Sequence, residues 1–372
     1  MTLIAYASAG HGHKMAAQAL EEAFHSQERS ERVEIMDLLS ISPPIFSKTY
    51  AGIYWLLIHY FPPIWKFFFW LFNLQIIHRF DHFMKRNFKT GALSHFESLL
   101  KLNNPKHLVF THFLGIHNAI ALRHEGAISS SIEAIVTDFY AHALWIHDKV
   151  DKYFVMSNET REDMILRWGV KEEKIHVTGI PVSRNFSPNT GKKKERSYLE
   201  TLGLQRDRLT LLFTSGSFGI GPTEHYLQSL APLSERIQVI IVCGNNSKMK
   251  NRLLKTRFAF PAAILGFVNN MNELMDVSDL LVAKPGGITT CEALIKSLPM
   301  LISNVIPGQE EGNLKLLELH NACWRLLSPR DLTKIVKNIL DNPKILEEKQ
   351  RNISAIAKPN ATRDIVDIIL KS

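Results

Sequence analysis

Apolar runs of strand length recur along the chain, and most give way to a polar or glycine-rich turn followed by an amphipathic stretch. In the first half these runs are TLIAYAS (2–8), VEIMDLL (33–39), KHLVFTH (106–112), EAIVTD (133–138), KYFVMS (152–157) and KIHVTG (174–179). Their near-continuous hydrophobicity suits parallel strands covered on both faces. KMAAQALEEAFHS (14–26) reads as an amphipathic helix, and NETREDMILRWG (158–169) as another that starts at an N-cap Asn158 and closes on Gly169. Residues 184–208 are polar and basic without strand period, which predicts a linker with one short helix. Alternation then restarts with LTLLFTSGSFG (209–219), QVIIVCG (238–244), AAILGFV (262–268), DLLVAKPGG (279–287) and PMLISN (299–304). The pattern predicts an α/β protein of two Rossmann-like doubly wound domains, 1–183 and 184–355, with 356–372 forming a helix that packs back on the first. Neither half carries the GxGxxG dinucleotide fingerprint or a P-loop. Ligands of this class are expected in the cleft at the carboxyl ends of the two sheets.

Length and composition agree with two packed cores: 372 residues, 45% hydrophobic and 22% charged. A formal charge of +8 suits an anionic partner, but no nucleic-acid recognition motif is present and nucleic acid is not expected. Cys243, Cys291 and Cys323 form neither CxxC nor a metal spacing, so no disulfide framework or zinc ribbon is expected. The opening MTLIAYASAG has no basic n-region or cleavage site, so export is not expected. Residues 49–65 and 67–78 change the picture most. Tyr50, Tyr54, Trp55, Tyr60, Trp65, Phe68 and Trp70 crowd together there, followed by Arg79, Lys85, Arg86 and Lys89. Pro62-Pro63 and Lys66 interrupt the run, so it is not a spanning helix. Aromatic plus basic predicts a segment lying among lipid headgroups, with Trp55, Trp65, Phe68 and Trp70 facing membrane or acceptor; the alternative is a buried helix pair.

Candidate chemistry sits at strand ends. In AKPGGITTCEAL (283–294) a Pro-Gly-Gly turn leads into a helix whose first amides attract an anion, and Glu292 follows one turn later to hold ribose hydroxyls. TSGSFGIG (214–221) is a second phosphate-type loop, with Ser215, Gly216, Ser217 and Gly219. Phe267 and Val268 in GFVNNM offer backbone groups to a base edge, and Gln309 and Glu310 in NVIPGQEEGN suit the hydroxyls of a sugar. SAGHGHKMAA puts His11 and His13 on the first turn, either able to accept a proton from an attacking hydroxyl. Asp138, in VTDFYAHALWIH, is placed to orient that base or hold the acceptor. His142 and His147 lack a carboxylate partner at ligand spacing and no Asp-x-Asp pair occurs, so no metal or other cofactor is expected.

In this order, AGHGH, VTDFYAHALWIHDKVDKYFV, KIHVTGIPV, VIIVCG, AKPGGITTCEAL and IPGQEEGN resemble the glycosyltransferases that make glycosyl-diacylglycerols. These are the plant-type monogalactosyldiacylglycerol synthases and the bacterial processive diacylglycerol β-glucosyltransferases, relatives of MurG. The resemblance implies a GT-B fold, diacylglycerol as acceptor on the first domain, and UDP-glucose or UDP-galactose as donor on the second. It matches His13 to the proposed general base, and Ser215–Gly219, Phe267, Val268, Pro285, Gly286, Gly287, Ile288, Thr289 and Glu292 to the UDP-binding regions. Gln309 and Glu310 match the sugar-contacting pair, and the aromatic stretch the region that meets an anionic membrane surface. The expected location is peripheral, on the cytoplasmic face of the cell membrane. AGHGH departs from the plant-type GGGH, so His11 competes with His13 for the role of base. Two alternatives stay open: MurG-like transfer of N-acetylglucosamine to a polyprenyl-linked muropeptide, and a non-catalytic nucleotide-sugar sensor.

Overall fold

The computed structural model describes residues 1–8, 10–26, 32–75, 91–188, 197–214 and 223–371. By their internal contacts these divide into two units. The first comprises Met1–Arg184, Ile306–Asn313 and Asn360–Ser372; the second comprises Asn185–Val305 and Leu314–Pro359. Each is an α/β unit built on a parallel sheet of six strands.

The first unit's strands are β1 (Thr2–Tyr6), β2 (Val33–Asp37), β3 (His107–Phe110), β4 (Ser131–Ile135), β5 (Lys152–Val155) and β6 (Ile175–Val177), in the order β2-β1-β3-β4-β5-β6. Strand alternation sends successive side chains to opposite faces. Leu3, Ala5, Leu108, Phe110, Ile132, Ala134, Tyr153 and Val155 therefore join one core, against the helices Ser94–Asn103 and Ile116–His124. Ile4, Tyr6, Val109, Ile135 and Phe154 join the other, with Ala17, Leu20 and Phe24 of helix α1 (His11–Ser26). Ile365, Val366 and Ile369 of the helix Ala361–Leu370 complete that second core.

The second unit's strands are β7 (Leu209–Thr214), β8 (Ile237–Val242), β9 (Ala262–Leu265), β10 (Leu280–Ala283), β11 (Met300–Ile302) and β12 (Cys323–Arg325), in the order β12-β11-β10-β7-β8-β9. The chain starts at the centre, winds out to β9, and returns to the centre at β10. Three details depart from the sequence reading. β12 is an additional strand, three residues long and hard to see against its neighbours. Asn158 is the first helical residue, and the cap is Ser157, whose Oγ accepts from the Thr160 amide. The aromatic region forms two helices, α2 (Pro44–Tyr60) and α3 (Pro62–Phe72), with Phe61 between them. No residue of α3 is fully buried, whereas Ile58 of α2 is buried. Arg79, Lys85, Arg86 and Lys89 lie outside the described residues. Among the described residues, no helix is long and apolar enough to cross a membrane.

Gly115 makes the sharp turn between β3 and the helix Ile116–His124. Its φ is +90°, and a Cβ there would lie 2.8 Å from Leu38 Cδ1 and 3.2 Å from ring carbons of both Phe96 and Phe110. All three neighbours are fully buried and close-packed. Gly115→Ala should destabilise the chain by about 2–4 kcal/mol through strain and overpacking together. Chemical denaturation checks this, and a loss below about 1 kcal/mol would show that the neighbours give way.

Candidate active site

In the first sheet the connectivity reverses between β1 and β3, the position where open α/β sheets bind ligands at their carboxyl ends. His13 lies there, in the first turn of α1. The sequence put His11 and His13 on a turn; the helix begins at His11 and takes in both. His13 Nδ1 lies 2.7 Å from the carbonyl of Thr111, just beyond β3, and the Thr111 hydroxyl donates back to the His13 carbonyl at 2.9 Å. A carbonyl can only accept, so Nδ1 carries the proton and Nε2 the lone pair. Thr137 Oγ1, beyond β4, lies 3.1 Å from the same nitrogen and offers that N–H a second acceptor. The ends of β3 and β4 thus fix one imidazole on α1.

His112 stands edge-on to His13, with ring centroids 4.5 Å apart. Its Nδ1 accepts from the Leu114 amide at 3.0 Å, which leaves its own proton on Nε2. Burial lowers the pKa of both rings: His13 falls to about 4, against a partly compensating pull from the Thr111 carbonyl. His112 is pushed down by burial and then by His13. Both imidazoles are therefore neutral at physiological pH, and His13 is ready to take a proton through Nε2.

Asp138 is held differently. Its Oδ1 accepts from Asn313 Nδ2 at 3.3 Å, and Asn313 Oδ1 accepts from the Phe139 amide at 2.7 Å. The described groups that orient His13 are Thr111 and Thr137, both absent from the sequence reading although each ends a strand it identified. His142 has both ring nitrogens on backbone: Nε2 donates to the Phe69 carbonyl at 3.1 Å, and Nδ1 accepts from the Leu144 amide at 3.2 Å. It has no lone pair left for a metal. Among the described residues no cluster of His, Cys, Asp and Glu could hold a metal ion.

The second sheet reverses between β7 and β10. Ser215, Gly216, Ser217 and Gly219 follow β7 directly but lie outside the described residues. Beyond β10, Lys284 and Pro285 lead to Gly286, the N-cap of the helix Gly287–Ile295. Gly287, Ile288 and Thr289 form its first turn, where amides precede the hydrogen-bond ladder and the helix dipole favours an anion. Phe267 and Val268 follow β9, and Phe267 is exposed.

Glu292, in the same helix, is buried. Desolvation raises its pKa to about 8. Gln309 and Glu310 sit on the turn after Pro307. Gln309 is half-buried, and Glu310 is buried with Oε2 accepting from the Ile306 amide at 3.0 Å. By its contacts this turn counts with the first unit, although the sequence places it in the second domain.

Two family models match the chain: monogalactosyldiacylglycerol synthase over residues 13–182, and the C-terminal domain of glycosyltransferase family 28 over residues 210–367. The chain belongs to this glycosyltransferase family. A processive diacylglycerol β-glucosyltransferase of Bacillus cytotoxicus is 28% identical over 376 residues, covering 99% of this chain and 93% of the relative. Among solved structures, MurG of Acinetobacter baumannii superposes with a TM-score of 0.59 at 14% identity, covering 100% of this chain and 99% of that one. The S. aureus MnaA–UDP structure gives 0.62 at 13%, covering 99% and 96%. At such identities the likeness is one of fold. This glycosyltransferase has the GT-B architecture, with two six-stranded parallel sheets flanked by helices.

The raised pKa of Glu292 has a measurable thermodynamic consequence. The folded state keeps the proton up to about pH 8, whereas the unfolded chain releases it near 4.5. Between these values the native state binds more protons, so this group's contribution to stability falls as pH rises. Relative to Glu292→Gln, the unaltered chain should lose stability from about pH 5 towards pH 8. Urea denaturation across that range tests it, and a constant difference between the two proteins would refute the assignment.

Proposed function

We propose that this glycosyltransferase moves glucose from UDP-glucose to the free hydroxyl of diacylglycerol at a membrane surface, with inversion at the anomeric carbon. The observation that carries the reading is the imidazole of His13, held at the first sheet's switch point with its lone pair on Nε2. Glucose is favoured over galactose because the full-length relatives are named as glucosyltransferases, while the galactose name comes from a family model covering residues 13–182.

In the proposed reaction Nε2 takes the proton from the glycerol hydroxyl as its oxygen bonds to the anomeric carbon and the bond to the diphosphate breaks. The proton ends on His13, and the bond's electron pair leaves with UDP. Thr111 and Thr137 keep Nδ1 protonated, so Nε2 alone can act, and the Thr111 carbonyl stabilises the imidazolium that forms. The leaving diphosphate meets the first amides of the helix Gly287–Ile295, so no metal is required for its charge. Glu292, buried in that helix with its pKa raised by desolvation, takes the ribose hydroxyls. The membrane side is α2 and α3. Ile53, Trp55, Tyr60, Phe67, Phe68 and Trp70 are all exposed on these two adjoining helices, more apolar surface than a water-facing helix pair commonly presents. A net charge of +8 favours an anionic surface.

Incubating the purified chain with diacylglycerol vesicles and each UDP-sugar, then identifying lipid products by mass spectrometry, tests the reading. Glucosyl-diacylglycerol is expected. A product only with UDP-galactose would correct the sugar, and a product only on a polyprenyl-linked muropeptide would replace the acceptor. His13→Ala should lower kcat by about 10²–10⁴-fold while leaving UDP affinity nearly unchanged. In the unaltered enzyme kcat/KM should hold through pH 6.5 and fall only towards pH 4, because protonation of His13 is deferred to about that value. A break near 6.5, or an undiminished rate in His13→Ala, would remove His13 from the role.

A further inference from the structure

We infer that Phe69 is a positioning residue for the donor sugar: it ties the aromatic helix α3 to the turn that carries Gln309 and Glu310. This rests on the function proposed above and on the sugar-contacting role that the family resemblance implies for Gln309 and Glu310, and it adds a route by which α3, seated on lipid, sets the sugar end of the site.

The two sides of α3 differ. Phe67, Phe68 and Trp70 are exposed, 54%, 39% and 56% respectively, and the Phe67 ring contacts both of the others. Trp65 and Phe69 are half-buried, four residues apart on one stripe, with ring centroids 6.0 Å apart. Phe69 meets two segments at once. Its ring lies 4.3 Å, centroid to centroid, from His142. It also packs so closely on Gly308 that a Cβ there would fall 2.8 Å from Phe69 Cδ1. Gly308 has φ +80°, a conformation that favours glycine, and the next two residues are Gln309 and Glu310.

Neighbouring contacts bind the same three segments together. Lys66 Nζ reaches Glu311 Oε1 at 2.7 Å, and Asn73 Oδ1 accepts from the Ala143 amide at 3.0 Å. Asn313, at the far end of the turn, caps the Phe139 amide. The exposed Lys66–Glu311 pair contributes little by itself. The aromatic contact with a backbone that has no side chain to yield is the stiff link. A shift of α3 along that contact moves the Gly308 turn with it, because the turn's left-handed residue and buried Glu310 brace leave it few other conformations.

The experiment separates the inner from the outer face of α3. Transfer to diacylglycerol is measured against UDP-glucose concentration at saturating anionic vesicles, and vesicle affinity separately by sedimentation. Phe69→Ala should raise the KM for UDP-glucose about tenfold while vesicle affinity stays within about twofold. Phe69→Leu, which keeps bulk against Gly308 and protects the fold, should restore most of it. Phe67→Ala should do the reverse, weakening vesicle binding and sparing the donor KM once vesicles saturate. An unchanged donor KM in both Phe69 variants, or the same signature in Phe69→Ala and Phe67→Ala, would overturn the inference while leaving the transfer reaction standing. Absence of any glycolipid from the unaltered enzyme would overturn the underlying function, and the inference with it.

Discussion

The hydrogen bond from His13 Nδ1 to the Thr111 carbonyl decides the chemistry available to the first unit. An imidazole has two nitrogens and, when neutral, one proton; the acceptor that holds the proton determines which nitrogen can act. Here the acceptor is a main-chain carbonyl at the end of β3, placed beside α1 because β1 and β3 are neighbours in the sheet. Sheet order, not local sequence, brings residues 13, 111 and 137 to one ring. Burial then keeps the ring neutral well below the pH at which free histidine charges.

The two sheets use their reversal points for different tasks. At the first, side chains converge on a titratable group. At the second, the conspicuous chemistry is main-chain: a glycine cap, a helix start, and amides with no ladder partner. Glu292 is the exception, a buried carboxyl whose proton is retained by desolvation. A group in that condition gains from any ligand that brings hydroxyls to it.

Much of this was legible in the sequence. Eleven of the twelve strands announce themselves as apolar runs, and the glycine turns after β1 and β10 mark where helices begin. His13 could be picked out because a histidine beside glycines at a strand end has few structural reasons to be there. Its partners could not: Thr111 and Thr137 lie 98 and 124 residues away, and their roles exist only once the strand order is known. Asn313 reads in the sequence as one more polar group for sugar hydroxyls, and its contact with the Phe139 amide, 174 residues distant, escaped for the same reason. The cap at Ser157 and strand β12 fell within the usual uncertainty of element ends.

The helix Ala361–Leu370 inserts Ile365, Val366 and Ile369 into the core beneath β1, a strand that leaves the ribosome more than 350 residues before it. One lobe is thus begun before its neighbour and sealed only after that neighbour has been synthesised. Until then Ile4 and Val109 have the apolar cover of α1 but not that of the last helix, so the nascent lobe must persist with a partly open flank while the second unit is made. That interval, more than any weakness of the finished protein, is where chaperones would find their substrate.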